Sequence, residues 1–318
     1  MTKKLGLALG AGAARGWAHI GVLKGLEEMG IKPDIITGSS VGALVGGAYL
    51  IDALEAFEVW AQSLSPLSAI QSFNLQVTKG GFVNTARAFE AFDEFDTDIE
   101  NLDTKFGAVA CDLATGEAVE IFQGSIIHAA RASSAIPVLF QAVAHQGRWL
   151  VDGAIVNPTP ISLARKLGAD IVIGVDLLAI PSLLERFDPS AAITQSPLSE
   201  AKLTQHSNAN PDKGVKGLTS SVERLIADTK ISVEKEIKKA KEKVMAKPHV
   251  FETALAVSDI MQMHIGRSRA LAYPADILLT PDMREAGPNS FDRSEEFIEI
   301  GRQNLFAHRA EIETMIAP

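Results

Sequence analysis

A serine held between glycines where a strand gives way to a helix is well placed to act as a nucleophile, and Gly38-Ser39-Ser40-Val41-Gly42 has that form. The pattern G-x-S-x-G has mechanical meaning only in context. A strand that turns abruptly into a helix forces the middle residue into a strained, exposed position, and bulky neighbours would clash there. Asp34 to Thr37 reads as a short strand and Val41 to Leu50 as a helix of small and apolar residues. Ser40 is therefore the candidate nucleophile, and Gly38 and Gly42 are the small residues of the elbow. The bare pattern also suits a glycine-rich helix start whose serines merely cap it; the flanking strand and helix favour the nucleophile.

Two further segments follow strands. Gly10-Ala11-Gly12-Ala13-Ala14-Arg15-Gly16 lies between the first strand and the first helix and presents several unencumbered backbone N–H groups in a tight turn. One reading is an oxyanion hole, which needs donors fixed where carbonyl charge develops. The other is a dinucleotide-binding loop, with Asp34 about 20 residues on as the ribose ligand. That second match is incomplete, because Arg15 stands where the last glycine of the fingerprint belongs and Asp34 stands at the start of its strand instead of ending it. Val151-Asp152-Gly153-Ala154 also follows a strand, and Asn157-Pro158 and Pro160 stiffen the loop beyond it. Asp152 there could face Ser40, although Asp-Gly is also a common turn dipeptide.

These segments need a frame. Leu5 to Leu9, Phe106 to Asp112, Trp149 to Val151, Ile171 to Val175 and Ile277 to Thr280 read as further strands. Arg15 to Met29, Pro160 to Leu167 and Ser294 to Ile316 read as helices, and Thr115-Gly116 as a hairpin turn leading to Ala118 to Phe122. Lys79 to Val83 reads as a glycine turn. The repeated order of strand, glycine turn and helix predicts a three-layer α/β/α sandwich with a mostly parallel central sheet. Chemistry-bearing residues then gather at the ends of different strands, where open α/β sheets assemble their sites.

Taken together, Gly10 to Gly16, Gly38 to Gly42 and Asp152 to Ala154, with Ala132-Ser133-Ser134-Ala135-Ile136-Pro137 between them, resemble the patatin-like phospholipases, in particular their bacterial branch. The resemblance covers about 1 to 178 and resumes near Ser258. It implies a serine acyl hydrolase in which Ser40 and Asp152 form a dyad without histidine. It further implies that the backbone N–H groups of Gly10, Ala11, Gly12 and Ala13 form the oxyanion hole and that Arg15 and Gly16 support that loop. Fatty-acyl esters of lipids are the implied substrates, cleaved through an acyl-Ser40 intermediate with Asp152 as the only side-chain base and no cofactor. Three features depart from the family pattern: Ala11 and Ala13 interrupt the glycine run, Val138 follows Pro137 where the family often has glycine, and 182–247 has no counterpart in small members. A nucleotide-binding oxidoreductase using the Gly10 loop and a non-catalytic lipid-binding relative are the competing readings.

The remaining sequence narrows the partners. The formal net charge of -9 over 318 residues repels phosphate backbones and argues against nucleic acid. The seven histidines show no metal-binding spacing, His19, Trp17 and His145 read as packing residues, and Cys111 is the only cysteine. Lys3-Lys4 and the apolar run after them imitate a signal peptide only weakly, and no run approaches the ~18 apolar residues of a membrane span. A cytoplasmic protein is expected. Residues 1–181 and 248–318 read as the catalytic domain and 182–247 as an inserted cap or arm. Within the insertion, 218–247 is charge-rich, with seven Lys and three Glu between Lys230 and Lys247. Such a stretch suits peripheral contact with an anionic bilayer, and equally a solvated helix with i,i+4 Glu–Lys pairs.

Overall fold

The computed structural model describes residues 3–63, 93–137, 140–178, 250–283, 286 and 290–317. Lys79 to Val83, Val138 and the whole 182–247 insertion lie outside them. The chain divides into two units, Met1–Pro181 with Leu255–Pro318, and Ser182–Ala254. The site belongs to the first.

Among the described residues one sheet of eight strands forms the middle layer. In chain order its strands are β1 (Leu5–Leu9), β2 (Ile35–Ser39), β3 (Lys105–Asp112), β4 (Ala118–Ile121), β5 (Val143–His145), β6 (Arg148–Asp152), β7 (Ile171–Val175) and β8 (Ile277–Leu279). Their spatial order is β5-β6-β3-β2-β1-β7-β8, with β4 also paired to β3. β1, β2, β3, β7 and β8 run parallel; β4 and β6 are antiparallel to β3, and β5 to β6. The helices are α1 (Ala18–Glu28), α2 (Val41–Leu50), α3 (Leu54–Ser63), α4 (Ile126–Ser133), α5 (Ile161–Lys166), α6 (Val250–Ala272), α7 (Ser294–Ala307) and α8 (Arg309–Ile316).

Every residue of β1, β2 and β7 is buried, as a parallel strand covered on both faces requires. Leu7, Leu9, Ile36, Phe106 and Ile173 face the larger core, which includes residues of α1, α2, α4 and α7. Ala8, Ile35 and Val172 face a smaller one with Ile161 and Ala164 of α5. This is the expected three-layer arrangement.

Several local boundaries differ from the sequence reading. The helix expected from Arg15 begins instead as a 3-10 turn, Ala13–Trp17, and becomes α-helical at Ala18. The helix expected over Ser294 to Ile316 breaks at His308, whose side-chain Nδ1–H donates to the Asn304 carbonyl at 2.9 Å. α4, β5 and α6 were not anticipated. α4 does carry a local signal: Ser125 accepts from His128 N–H at 2.9 Å as an N-cap. β5 is too short for alternation to reveal.

Candidate active site

The register along β3 brings the site together. β3 pairs with β2 over Lys105–Val109 and with β6 over Ala110–Asp112, while β4 pairs over Ala108–Cys111. Because β4 overlaps both partners, it holds one edge of β3, and β2 and β6 share the other. Their C-terminal ends therefore meet head to head, Ser39 opposite Val109 and Asp152 opposite Ala110. A Cβ on Gly153 would collide with the Val109 carbonyl, so the two ends abut with no room for a side chain between them.

Ser40 follows β2 directly and has φ 54 and ψ -127, a conformation that costs a non-glycine residue about 1–3 kcal/mol. The surroundings enforce it. Gly42 lies so close to the end of β1 that a Cβ would strike the Leu9 carbonyl, and one on Gly38 would strike the Ala43 backbone. Ser40 N–H donates to Ser133 Oγ at 2.9 Å, and that hydroxyl donates to the Val109 carbonyl at 2.6 Å. The end of α4 thus pins the elbow to β3.

Ser40 Oγ donates to Asp152 Oδ2 at 2.6 Å. Asp152 Oδ1 accepts from Ala154 N–H at 2.8 Å, and Asp152 N–H donates to the Ala135 carbonyl at 2.9 Å. Ser40 and Asp152 are 4% and 3% exposed, so little water solvates the carboxylate. Burial pushes its pKa up to about 6, against the opposing pull of the hydrogen bonds from Ser40 and Ala154. The carboxyl is a better proton acceptor than an ordinary aspartate.

The glycine loop stands at the end of β1, beside this pair in the sheet. Gly10 N–H donates to the Val175 carbonyl at 3.0 Å and Ala11 N–H to the Pro158 carbonyl at 2.8 Å. These two donors are occupied by the fold. Gly12 and Ala13 N–H meet no acceptor among the described residues, and Ala13 is held at φ 51. Ala11, Ala154 and Leu178 form a small apolar cluster that ties this loop to the one after Asp152. Gly16 lies against Val41 at the start of α2, where a Cβ would not fit. His19 is fully buried, its pKa lowered to about 4 by burial, and as a neutral ring its Nε2–H donates to the Gly10 carbonyl at 2.7 Å.

A family model, patatin-like phospholipase, matches residues 7–165. The chain belongs to that family. It is 36% identical over 176 residues to an uncharacterized NTE family protein of Mycobacterium tuberculosis, covering 55% of this chain and 49% of that protein. It is 29% identical over 221 residues to a lysophospholipase of Emericella nidulans, covering 62% and 14%. It is 32% identical over 187 residues to human patatin-like phospholipase domain-containing protein 6, covering 54% and 13%. The chain thus spans about half the length of the mycobacterial relative and a small part of the other two.

Family membership and geometry bear on the dinucleotide reading of the loop. Asp34 precedes β2 and accepts from Leu5 N–H at 2.7 Å, at the N-terminal ends of strands whose C-terminal ends carry the Gly10 loop. It stands roughly five residues, or about 16 Å, along the sheet from that loop, on the wrong edge to hold a ribose.

Several residues around the site went unassigned in the sequence reading. Ser133 stands in the Ala132 to Pro137 segment, where sequence alone assigns it no role. Asp259 and Arg269 of α6 carry no local signal, since the partners Arg15 and Asn157 that they bind lie more than 100 residues away. An apolar cleft lined by Leu44, Ile51, Phe57, Ile126, Ile127 and Ala130 runs between α2, α3 and α4. Leu44 is one helical turn from Ser40. Among the described residues no helix is long and apolar enough to cross a membrane, and no three His, Cys, Asp or Glu side chains are grouped to hold a metal ion.

Proposed function

We propose that this chain is a serine acyl hydrolase that cleaves fatty-acyl esters of lipids, with Ser40 as nucleophile and Asp152 as general base. The observation that carries the reading is the 2.6 Å hydrogen bond from Ser40 Oγ to the buried Asp152 carboxylate. As Oγ attacks the ester carbonyl, its proton passes to Asp152 Oδ2. The developing oxyanion is received by the N–H groups of Gly12 and Ala13. Gly10 and Ala11, whose N–H groups are spent on Val175 and Pro158, hold the loop in place. Collapse expels the alcohol, which takes the proton from Asp152. Water then gives a proton to Asp152 and attacks the acyl-Ser40 carbonyl; the second collapse releases the acid and returns the proton to Ser40 Oγ.

The apolar cleft beyond Leu44 supports an acyl group as the recognised part, and the name of the fungal relative points to lysophospholipid as the first substrate to try. The 182–247 insertion serves as a cap or arm whose basic 218–247 stretch meets anionic lipid. Vesicle co-sedimentation of the full chain with Lys235, Lys238, Lys239 and Lys241 changed to Ser tests that contact; unchanged binding rejects it.

A fluorophosphonate probe should label the wild-type protein at Ser40, and Ser40→Ala should be folded, unlabelled and without esterase activity on p-nitrophenyl esters. Undiminished hydrolysis by Ser40→Ala rejects the nucleophile. Lipid binding by a wild-type protein that takes no label favours a non-catalytic relative instead.

A further inference from the structure

The guanidinium of Arg15 is 1% exposed, which removes it from the class of solvated surface pairs. Its Nε–H donates to the Gly12 carbonyl at 3.1 Å and its Nη2–H to Asp259 Oδ1 at 3.1 Å. Asp259 is itself buried and belongs to α6, 244 residues away in sequence. Ten residues further along α6, Arg269 Nε–H donates to Asn157 Oδ1 at 2.9 Å and its Nη2–H to Ser162 Oγ at 3.3 Å. One helix therefore holds the glycine loop through Arg15 and the loop after Asp152 through Asn157.

The chemistry of the loop makes the first hold consequential. The Gly12 carbonyl belongs to the same peptide unit as the Ala13 N–H, and a peptide unit is planar. Fixing the direction of that carbonyl fixes the opposite direction of the N–H, which is one of the two donors left free for an oxyanion. Ala13 sits at φ 51, a conformation that an alanine adopts only under constraint. The Arg15 fork, held from behind by a carboxylate, supplies such a constraint.

We infer that Asp259 is a positioning residue: through Arg15 it locks the Gly12–Ala13 peptide so that the Ala13 N–H faces the reacting carbonyl. This inference rests on the acyl-hydrolase reading and adds to it a determinant from the far end of the chain. A charge-paired guanidinium is a strong and directional donor. Loss of the Asp259 carboxylate removes the brace on the side-chain fork and leaves the Gly12 carbonyl to the Arg15 backbone N–H, which donates to it at 3.1 Å.

The test compares full-length Asp259→Asn, Asp259→Ala and Arg15→Met with wild type, each normalised to the sites titrated by a fluorophosphonate. Displacing a catalytic donor by about 1 Å costs on the order of 100-fold, so kcat should fall by about 10- to 100-fold, most in Asp259→Ala, with KM changed by less than about threefold. The acid limb of the pH profile, set by Asp152, should not move. A purely structural Asp259 would lower the melting temperature and the number of titratable sites but leave kcat per site unchanged, and that result overturns the inference. Should Asp259→Ala fail to fold around an arginine deprived of this carboxylate, the double variant Arg15→Met with Asp259→Leu removes both charges. It should match Arg15→Met alone in kcat; losses that multiply instead refute a relay through Arg15. An inactive, unlabelled wild-type protein rejects the hydrolase reading itself, a different outcome from active variants.

Discussion

Two regions of this molecule bring backbones together by the same device, glycine, and to different ends. At the α1–α7 interface a Cβ on Gly21 would collide with the Ile298 carbonyl and one on Gly301 with the Ala18 carbonyl, so the two helices touch backbone to backbone. At the elbow, Gly42 brings α2 equally close to the Leu9 carbonyl. The helix pair has ordinary helical conformation and an apolar surround, and gains dispersion and burial. The elbow gains neither of these alone; it holds Ser40 at a positive φ and sets its hydroxyl against a carboxylate that burial has made more basic. Close packing lowers the energy of the first region. In the second it stores strain and an electrostatic cost that the rest of the fold offsets.

Substitutions can break this contrast. The largest effect is expected from Asp152→Asn, which removes the base and should lower kcat by about four orders of magnitude. The same change should stabilise the protein at neutral pH. The Asp152 pKa of about 6 lies above the ~3.9 of an unfolded aspartate, so the stability linked to its proton is complete below about pH 4 and is lost as pH rises through 6. Denaturation curves of variant and wild type should then converge at pH 4 and separate by up to about 3 kcal/mol above pH 7. Wild-type activity should rise through about pH 6 and level off, as expected of a base that must be ionised. A wild-type profile that is flat from pH 4 to 8 removes Asp152 from that role.

Gly42→Ala should come next. Pushing α2 off the end of β1 displaces Ser40, and kcat/KM should fall by at least about 100-fold in the molecules that remain folded. Gly21→Ala should cost about 1–3 kcal/mol of stability through overpacking while leaving activity per folded molecule unchanged. If Gly21→Ala lowers kcat and Gly42→Ala does not, the functional distinction between the two glycine contacts is wrong. The smallest effect concerns strain itself: with the hydroxyl removed in both, Ser40→Gly should be more stable than Ser40→Ala by about 1 kcal/mol, because only glycine adopts φ 54 and ψ -127 without penalty. Equal melting temperatures would mean that the elbow carries no strain.

The parts of this protein whose causes are local can be read from its residues in order. Continuous apolar runs specify strands buried on both faces, glycines and prolines mark where strands turn into helices, and a serine between glycines at such a turn marks a candidate nucleophile. α4, with its Ser125 cap, has an equally local cause. Four things depend on the packed structure and on no single segment. The division of one β3 edge between β2 and β6 brings Ser40 to Asp152, 112 residues apart, and no local pattern encodes which strands share an edge. Which N–H groups of the glycine loop stay free depends on carbonyls of Val175 and Pro158 that arrive from other strands and loops. The partner of Arg15 comes from a helix near the other end of the chain, and burial, which raises the Asp152 pKa and excludes water from Arg15, is a property of the packed layers and not of any segment read alone.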